Sequence, residues 1–376
     1  MASGIEPYET KAGTRYRVRY RTPDRRQTDK RGFETVRDAK QWQAENVVSI
    51  ANGEYVAPSA ARVTVGELGP AWLERKRHRK PSTYRSLETA WRVHVEPRWG
   101  RVAVADVATT AVQAWVTDMS TGDEARKIPP KSATVVGRAY GVLAGILDDA
   151  VTDRRARANV ARGVTLPRKS PKGRTYLTHE QVQQLAQQAG KVGAQYETLV
   201  YVLAYCGLRW GEATGLRVRN LDMLRRRLAI EENAVQVGSA VKVGSPKTHE
   251  RRSVPFPSFL APLLAKRCED KGRDDLVFTS PTNPGKHLKR SSSATAKSWF
   301  VLSVKRAGIP RVTPHDLRHT AASLAVSSGA NVKAVQRMLG HASAAMTLDV
   351  YADLFDADLD AVAVELDAAR RRSLVI

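Results

Sequence analysis

Cysteine is nearly absent from this chain of 376 residues. Cys206 and Cys268 cannot build a disulfide framework, and alone they cannot make a zinc site. The eight histidines show no metal-ligand spacing, and neither a Walker loop nor a GxGxxG fingerprint occurs. Long apolar runs are missing too: the longest, Leu199 to Leu208, is about half of the ~20 residues a membrane span needs. The opening residues, MASGIEPYET, lack the basic and apolar regions of a secretory signal. Aromatic residues make up 6%, too sparse for a chain built around base-stacking platforms. These absences predict a soluble protein of a reducing compartment, without metal, cofactor or membrane partner.

Acidic residues are the remaining shortage. Asp and Glu number 38 against 61 Lys and Arg, a net charge of +23 on a chain that is 42% hydrophobic. The apolar fraction is ordinary for a globular protein, so the surplus charge points to a polyanionic partner, most often nucleic acid. The length suggests roughly two to three domains.

Residues 1–62 read as a small sheet followed by a helix. In Arg15-Tyr16-Arg17-Val18-Arg19-Tyr20-Arg21 strict alternation puts four arginines on one face and Tyr16, Val18 and Tyr20 on the other. Thr22-Pro-Asp-Arg signals a turn before a second polar strand, Arg25 to Thr35. Val36 to Asn52 has helical character, with Ala39, Trp42, Val47 and Ile50 expected to cover the tyrosine face and Gly53 to cap the end. Residues 11–31 hold nine basic and two acidic side chains. An edge strand also carries charge simply to avoid aggregation, but four arginines in register favour a DNA-facing sheet, Arg15, Arg17, Arg19 and Arg21 being the contacts. Residues 63–165 read as all-helical, with Thr64 capping the first helix and Pro81 opening another. Arg75, Arg77 and Arg79, in a basic run at a helix end, are expected phosphate contacts. Residues 166–175 have linker composition. Residues 176–376 read as mainly helical, opened by a Thr178–Gln181 capping box and interrupted by a β-rich patch near 226–256.

Four stretches of this last segment carry chemistry. In Tyr205-Cys-Gly-Leu-Arg-Trp-Gly-Glu212 an apolar helix ends near Gly207, leaving Arg209 to reach into a cleft while Glu212 orients it. Ser245-Pro-Lys247-Thr-His-Glu-Arg-Arg252 is a polar turn between strands. In Val312-Thr-Pro-His-Asp-Leu-Arg-His-Thr320, Thr313 is read as N-cap and Pro314 as first helical residue. His315 and Arg318 then share a face beside an anion-friendly helix start, and His319 points elsewhere. Met338-Leu-Gly-His341 closes a helix ten residues before Tyr351. Each pattern is commonplace singly: a surface ion pair, a solvated lysine, a helix cap, a core tyrosine. Together they supply a coherent phosphoryl-transfer site without a metal-binding carboxylate cluster.

In these motifs the chain resembles the tyrosine recombinase family, most closely the phage integrases of actinobacterial phages. The resemblance implies three domains: an N-terminal α+β domain with a three-stranded sheet that binds arm-type sites (1–62), an all-α core-binding domain (63–165) and, after a linker (166–175), a mainly α catalytic domain with a small β-sheet (176–376). Asn159-Val-Ala-Arg162 and Leu166-Pro-Arg168 match the usual close of the core-binding domain. Carried over singly, Arg209 resembles the first catalytic arginine with Glu212 as its supporting acid, and Lys247 the hairpin lysine. His315 and Arg318 resemble the His-x-x-Arg pair, His341 the second histidine and Tyr351 the nucleophile. The implied activity is integration and excision of phage DNA by conservative strand exchange, through a 3′-phosphotyrosine and a Holliday junction. The implied partners are double-stranded DNA at core-type and arm-type attachment sites, further copies in a homotetramer, a host DNA-bending factor and a phage excision factor. The implied setting is the cytoplasm of a bacterial host, at the nucleoid. Leu359 to Leu374 is expected to be helical, with Val362, Leu366 and Ala369 packing on a neighbouring protomer or in cis, and the acidic segment 349–376, with seven acidic and three basic side chains, is expected to meet protein. The alternatives are a nicking-closing enzyme like the type IB topoisomerases and a catalytically silent DNA-binding regulator.

Overall fold

The computed structural model describes residues 4–125, 127–169, 175–244, 251–290, 298–341, 343 and 359–374. The chain divides into two compact units, Met1–Pro171 and Lys172–Ile376.

The first unit begins with an antiparallel sheet, β1 (Ile5–Thr10), β2 (Gly13–Arg21) and β3 (Gln27–Phe33), in that spatial order. Val18 and Tyr20 of the central strand are buried under α1 (Val36–Ala51), where the Trp42 ring meets Tyr20 edge-on at 5.2 Å. The alternation at 15–21 therefore reads correctly. On the covering face of α1, Ala39 is buried and Trp42 packs on the sheet as expected, but Val47 is 58% exposed while Asn46 and Ser49 are buried. At about 100° per residue Asn46 returns to the side of Ala39, whereas Val47 overshoots by about 80°. Among the arginines, Arg17 and Arg19 both reach Glu6, at 2.7 and 3.2 Å, and Arg15 pairs with Glu34. The stripe is thus laced with acids from its neighbours, which hold its long side chains in register.

A short helix, α2 (Pro58–Ala61), precedes the helical part: α3 (Val65–Arg75), α4 (Pro81–Ala90), α5 (Glu96–Trp99), α6 (Thr109–Thr121) and α7 (Ala133–Thr152). Thr64 and Glu67 form the reciprocal capping box of α3. One π-helical turn, Trp91–Val95, joins α4 to α5, next to Pro97, which cannot donate a helical hydrogen bond. The core gathers on α7, where Leu143, Ile146 and Leu147 pack with Trp72, Trp91, Trp99 and Trp115. Arg75 pairs with Asp149 of α7 and Arg77 with Glu74; Arg79 is exposed.

The second unit is built on α8 (His179–Gly190), with the expected Thr178–Gln181 capping box, and the buried α9 (Ala194–Cys206). A one-turn helix, α10 (Trp210–Ala213), leads to a sheet of order β4-β5-β8. Its strands are β4 (Leu221–Asp222), β5 (Arg227–Ile230) and β8 (Arg252–Pro255), with the hairpin β6 (Asn233–Val237) and β7 (Ala240–Gly244) inserted between the last two. Then follow α11 (Leu260–Cys268), the two-stranded β9 (Thr279–Ser280) and β10 (Asn283–His287), α12 (Trp299–Arg306), α13 (Asp316–Ser327) and α14 (Val332–Leu339). The β9–β10 pair lies beyond the expected β-rich patch. A final helix spans Leu359–Leu374, with Leu366 exposed.

A Cβ at Gly69 would lie 2.1 to 2.5 Å from the Trp91 ring, whereas one at Gly141 would meet nothing within 4 Å. Gly69→Ala should therefore destabilise by about 1–3 kcal/mol through overpacking, and Gly141→Ala should stabilise by about 0.5–1 kcal/mol through helix entropy. Urea unfolding of the two variants checks this, and like-signed shifts would contradict it.

Candidate active site

Two helices of the second unit stop at glycines in the left-handed region, α9 before Gly207 (φ 63°) and α14 before Gly340 (φ 65°). Such endings leave carbonyls without intrahelical donors. Arg318, from the first turn of α13, supplies them. It is 3% exposed and donates from Nη1 to the Gly207 carbonyl and from Nη2 to the Leu339 carbonyl, each at 2.6 Å. The negative ends of two helix dipoles thereby help to hold a buried guanidinium.

Glu212 is the second fixed point. The residue is 1% exposed, and its carboxylate lies between two arginines. Arg209 donates to it from Nη1 (2.8 Å) and from its backbone N–H (2.9 Å). Arg252 donates from Nη1 (3.0 Å) and Nη2 (2.6 Å). Burial alone would raise the carboxyl pKa; the hydrogen bonds and charge of Arg252, joined by those of Arg209, bring it down from 4.5 to about 2. The i,i+3 pair of Arg209 and Glu212 is therefore an interior clamp.

Both arginines also touch the end of α14. Arg252 Nε donates to the Met338 carbonyl at 3.0 Å and Arg209 Nη2 to the Gly340 carbonyl at 3.4 Å. Gln336 Nε2 donates to the His341 carbonyl at 3.0 Å. Four successive carbonyls, 338 to 341, thus have side-chain donors, and the turn presenting His341 is fixed. Burial, followed by the charges of Arg318 and Arg209, pushes the His341 pKa down to about 4, so this imidazole is neutral at neutral pH.

His315 opens onto a cleft of about 250 Å³ with Arg209, Trp210, Gly211, residues 233–236 and Arg290. Its pKa is lowered by partial burial and then by Arg318, which keeps a proton-accepting nitrogen available. Two expectations here need correction. The regular helix starts at Asp316, not Pro314. Thr313 donates its N–H and hydroxyl to the Asp316 carboxylate, at 2.7 and 2.9 Å, and so ties the preceding turn instead of capping the helix itself. His319 does not point away: its ring meets His315 edge-on at 5.1 Å.

The structure thus brings together Arg209, Glu212, His315, Arg318 and His341. Lys247 and Tyr351 lie outside the described residues. Arg252 and Arg290 were missed. Arg252 left one signal: it stands two residues before buried Val254 on an alternating strand, so parity turns a charge inward. Arg290 left none, because only the fold carries it to His315. Among the described residues, no group of three or more His, Cys, Asp or Glu could hold a metal ion, and no helix is long and apolar enough to cross a membrane.

Residues 175–358 match the phage integrase family. The integrase of Mycobacterium phage D29 is 29% identical over 339 residues, covering 85% of this chain and 84% of the relative. A putative prophage phiRv2 integrase of Mycobacterium tuberculosis is 26% identical, with 89% and 88% covered. Tyrosine recombinase XerD of Corynebacterium glutamicum is 28% identical over 65% of this chain and 78% of its own length. Among solved structures, the Tn1549 transposon integrase in complex with transposon right end DNA superposes with a TM-score of 0.65, at 22% identity, over 80% of this chain and 100% of that one. A lambda integrase tetramer bound to a Holliday junction gives a TM-score of 0.58, at 18% identity, over 90% and 95%. At such identities the structures speak for a shared fold.

A folded-state pKa below the unfolded value contributes stability that is complete above about pH 4.5 and is lost as pH falls toward 2. Glu212→Gln should therefore cost about 3 kcal/mol at pH 7, and progressively less below pH 4.5. Urea unfolding at pH 7 and pH 3 measures the difference; a cost independent of pH would contradict the buried charged clamp.

Proposed function

We propose a function from one premise, that this chain is a tyrosine recombinase carrying a phage integrase family domain over residues 175–358. It is a site-specific DNA recombinase of the phage integrase kind, which integrates and excises phage DNA at attachment sites. The observation carrying this reading is the convergence of Arg209, Arg318, His315 and His341 around the end of α14 and the adjoining cleft. That arrangement suits a phosphodiester whose oxygens gain charge in the transition state.

In this reading the Tyr351 hydroxyl attacks the scissile phosphorus and its proton passes to His315. An unperturbed tyrosine, with a pKa of about 10, needs such a base at neutral pH. Arg209 and Arg318 stabilise the charge on the non-bridging oxygens with planar, permanently charged forks. His341, being neutral, contributes a hydrogen bond. Lys247 protonates the departing 5′ oxygen. One P–O bond is exchanged for another, so the 3′-phosphotyrosine conserves the phosphodiester, and a 5′ hydroxyl of the partner DNA reverses the step.

The wider assembly follows the same reading. Residues 1–62 form the arm-type binding domain, 63–165 the core-binding domain and 176–376 the catalytic domain, acting on duplex DNA as a homotetramer at the nucleoid of a bacterial host. A host bending factor and a phage excision factor complete it. The arginines of β2, together with Arg75, Arg77 and Arg79, contact phosphates. Their pairing with Glu6, Glu34, Asp149 and Glu74 implies that DNA competes with protein carboxylates for some of them.

On a nicked suicide duplex carrying the core site, the wild-type protein should become covalently attached. Tyr351→Phe should bind without attaching; equal behaviour of the two would refute the assignment. Deleting residues 1–62 should spare core cleavage and abolish integration, and integration at the wild-type level would remove the arm-binding role.

A further inference from the structure

Arg252 has no part in the chemistry described so far, yet every nitrogen of its guanidinium is engaged. Nη1 and Nη2 grip the two oxygens of Glu212 and Nε holds the Met338 carbonyl. Its side chain is only 10% exposed, and its stem packs on the open side of Gly340, where a Cβ would lie 3.2 to 3.3 Å from Cδ, Nε and Cζ. Each oxygen of Glu212 therefore receives one donor from Arg252 and one from Arg209: Oε1 the two Nη1 groups, Oε2 Arg252 Nη2 and the Arg209 backbone N–H.

We infer that Arg252 is a positioning residue for strand cleavage, and this inference rests on the recombinase reading above. By saturating half of the Glu212 carboxylate it keeps the Arg209 guanidinium on a single oxygen, so that the fork stays turned toward the cleft. By holding Met338 it sets the turn that carries His341. Without Arg252, Arg209 gains access to both carboxylate oxygens and collapses onto them, and the end of α14 loses a donor. A lysine supplies charge but no planar fork, and cannot hold both oxygens and the carbonyl together.

The test uses the full chain and a nicked duplex carrying the attachment core found in the DNA flanking the gene. Arg252→Gln should cut the single-turnover attachment rate by about tenfold to a hundredfold, as displaced supporting contacts do, and change duplex affinity by less than about threefold because the residue is buried away from DNA. The same rates are then measured on both diastereomers of a scissile methylphosphonate, which lacks one negative oxygen. The diastereomer that relieves Arg209→Ala should also relieve Arg252→Gln, whereas a merely loosened fold loses rate equally on phosphate and methylphosphonate. Where the glutamine variant folds poorly, Arg252→Lys carries the same comparison, with a smaller loss relieved by the same diastereomer. Undiminished attachment by both variants, or a loss that the diastereomer does not relieve, overturns the inference. Failure of the wild-type protein to attach overturns the recombinase reading instead.

Discussion

At the end of α14 the carbonyls of Met338, Leu339 and Gly340 accept, in turn, from Arg252, Arg318 and Arg209. Helix ends always leave carbonyls in search of donors, usually met by water or by the chain itself. Here three guanidiniums meet them, each from a different element: β8, α13 and the joint between α9 and α10. The rest of the unit is arranged around that convergence. Gly207 has no side chain to collide with Leu339, whose Cδ2 would stand 2.6 Å from a Cβ there, and the close approach lets one arginine serve the ends of two helices.

So many cations in a small volume repel one another, and the structure answers in two ways. Glu212 is buried and kept charged, giving one full negative charge to Arg209 and Arg252. Protonation of the histidines is disfavoured: the pKa of His341 falls to about 4 and that of His315 is lowered. The cleft thus combines permanently charged guanidiniums with imidazoles whose protonation is disfavoured. For both histidines burial is the larger cause, and the charge of the neighbouring guanidiniums adds to it.

Local physics made much of this legible in the sequence. Thr64 with Glu67 and Thr178 with Gln181 read as capping boxes and are capping boxes. Alternation at 15–21 put Val18 and Tyr20 inside. Gly207 marked the end of an apolar helix and adopts the left-handed conformation that such an end requires. These signals lie within a few residues of their effects. Val47 looked suited to the sheet because it is apolar, yet the phase of α1, set by Ala39 and Trp42, places Asn46 there. Thr313 looked like a cap, but its N–H and hydroxyl both donate to the Asp316 carboxylate, and the regular helix starts only at Asp316.

The sequence alone determined the chemistry available: which arginines, histidines and carboxylate exist, in what order, with a surplus of positive charge suited to a polyanion. The tertiary structure alone decided how those groups share one another. That Arg252 completes the Glu212 clamp, that Arg290 and His315 line one cleft and that Arg318 spans two helix ends depend on bringing together residues up to 111 positions apart. No local pattern encodes such distances. They follow from burying the apolar faces of α9, α13 and α14 together, which brings the helix ends to the arginines that satisfy them.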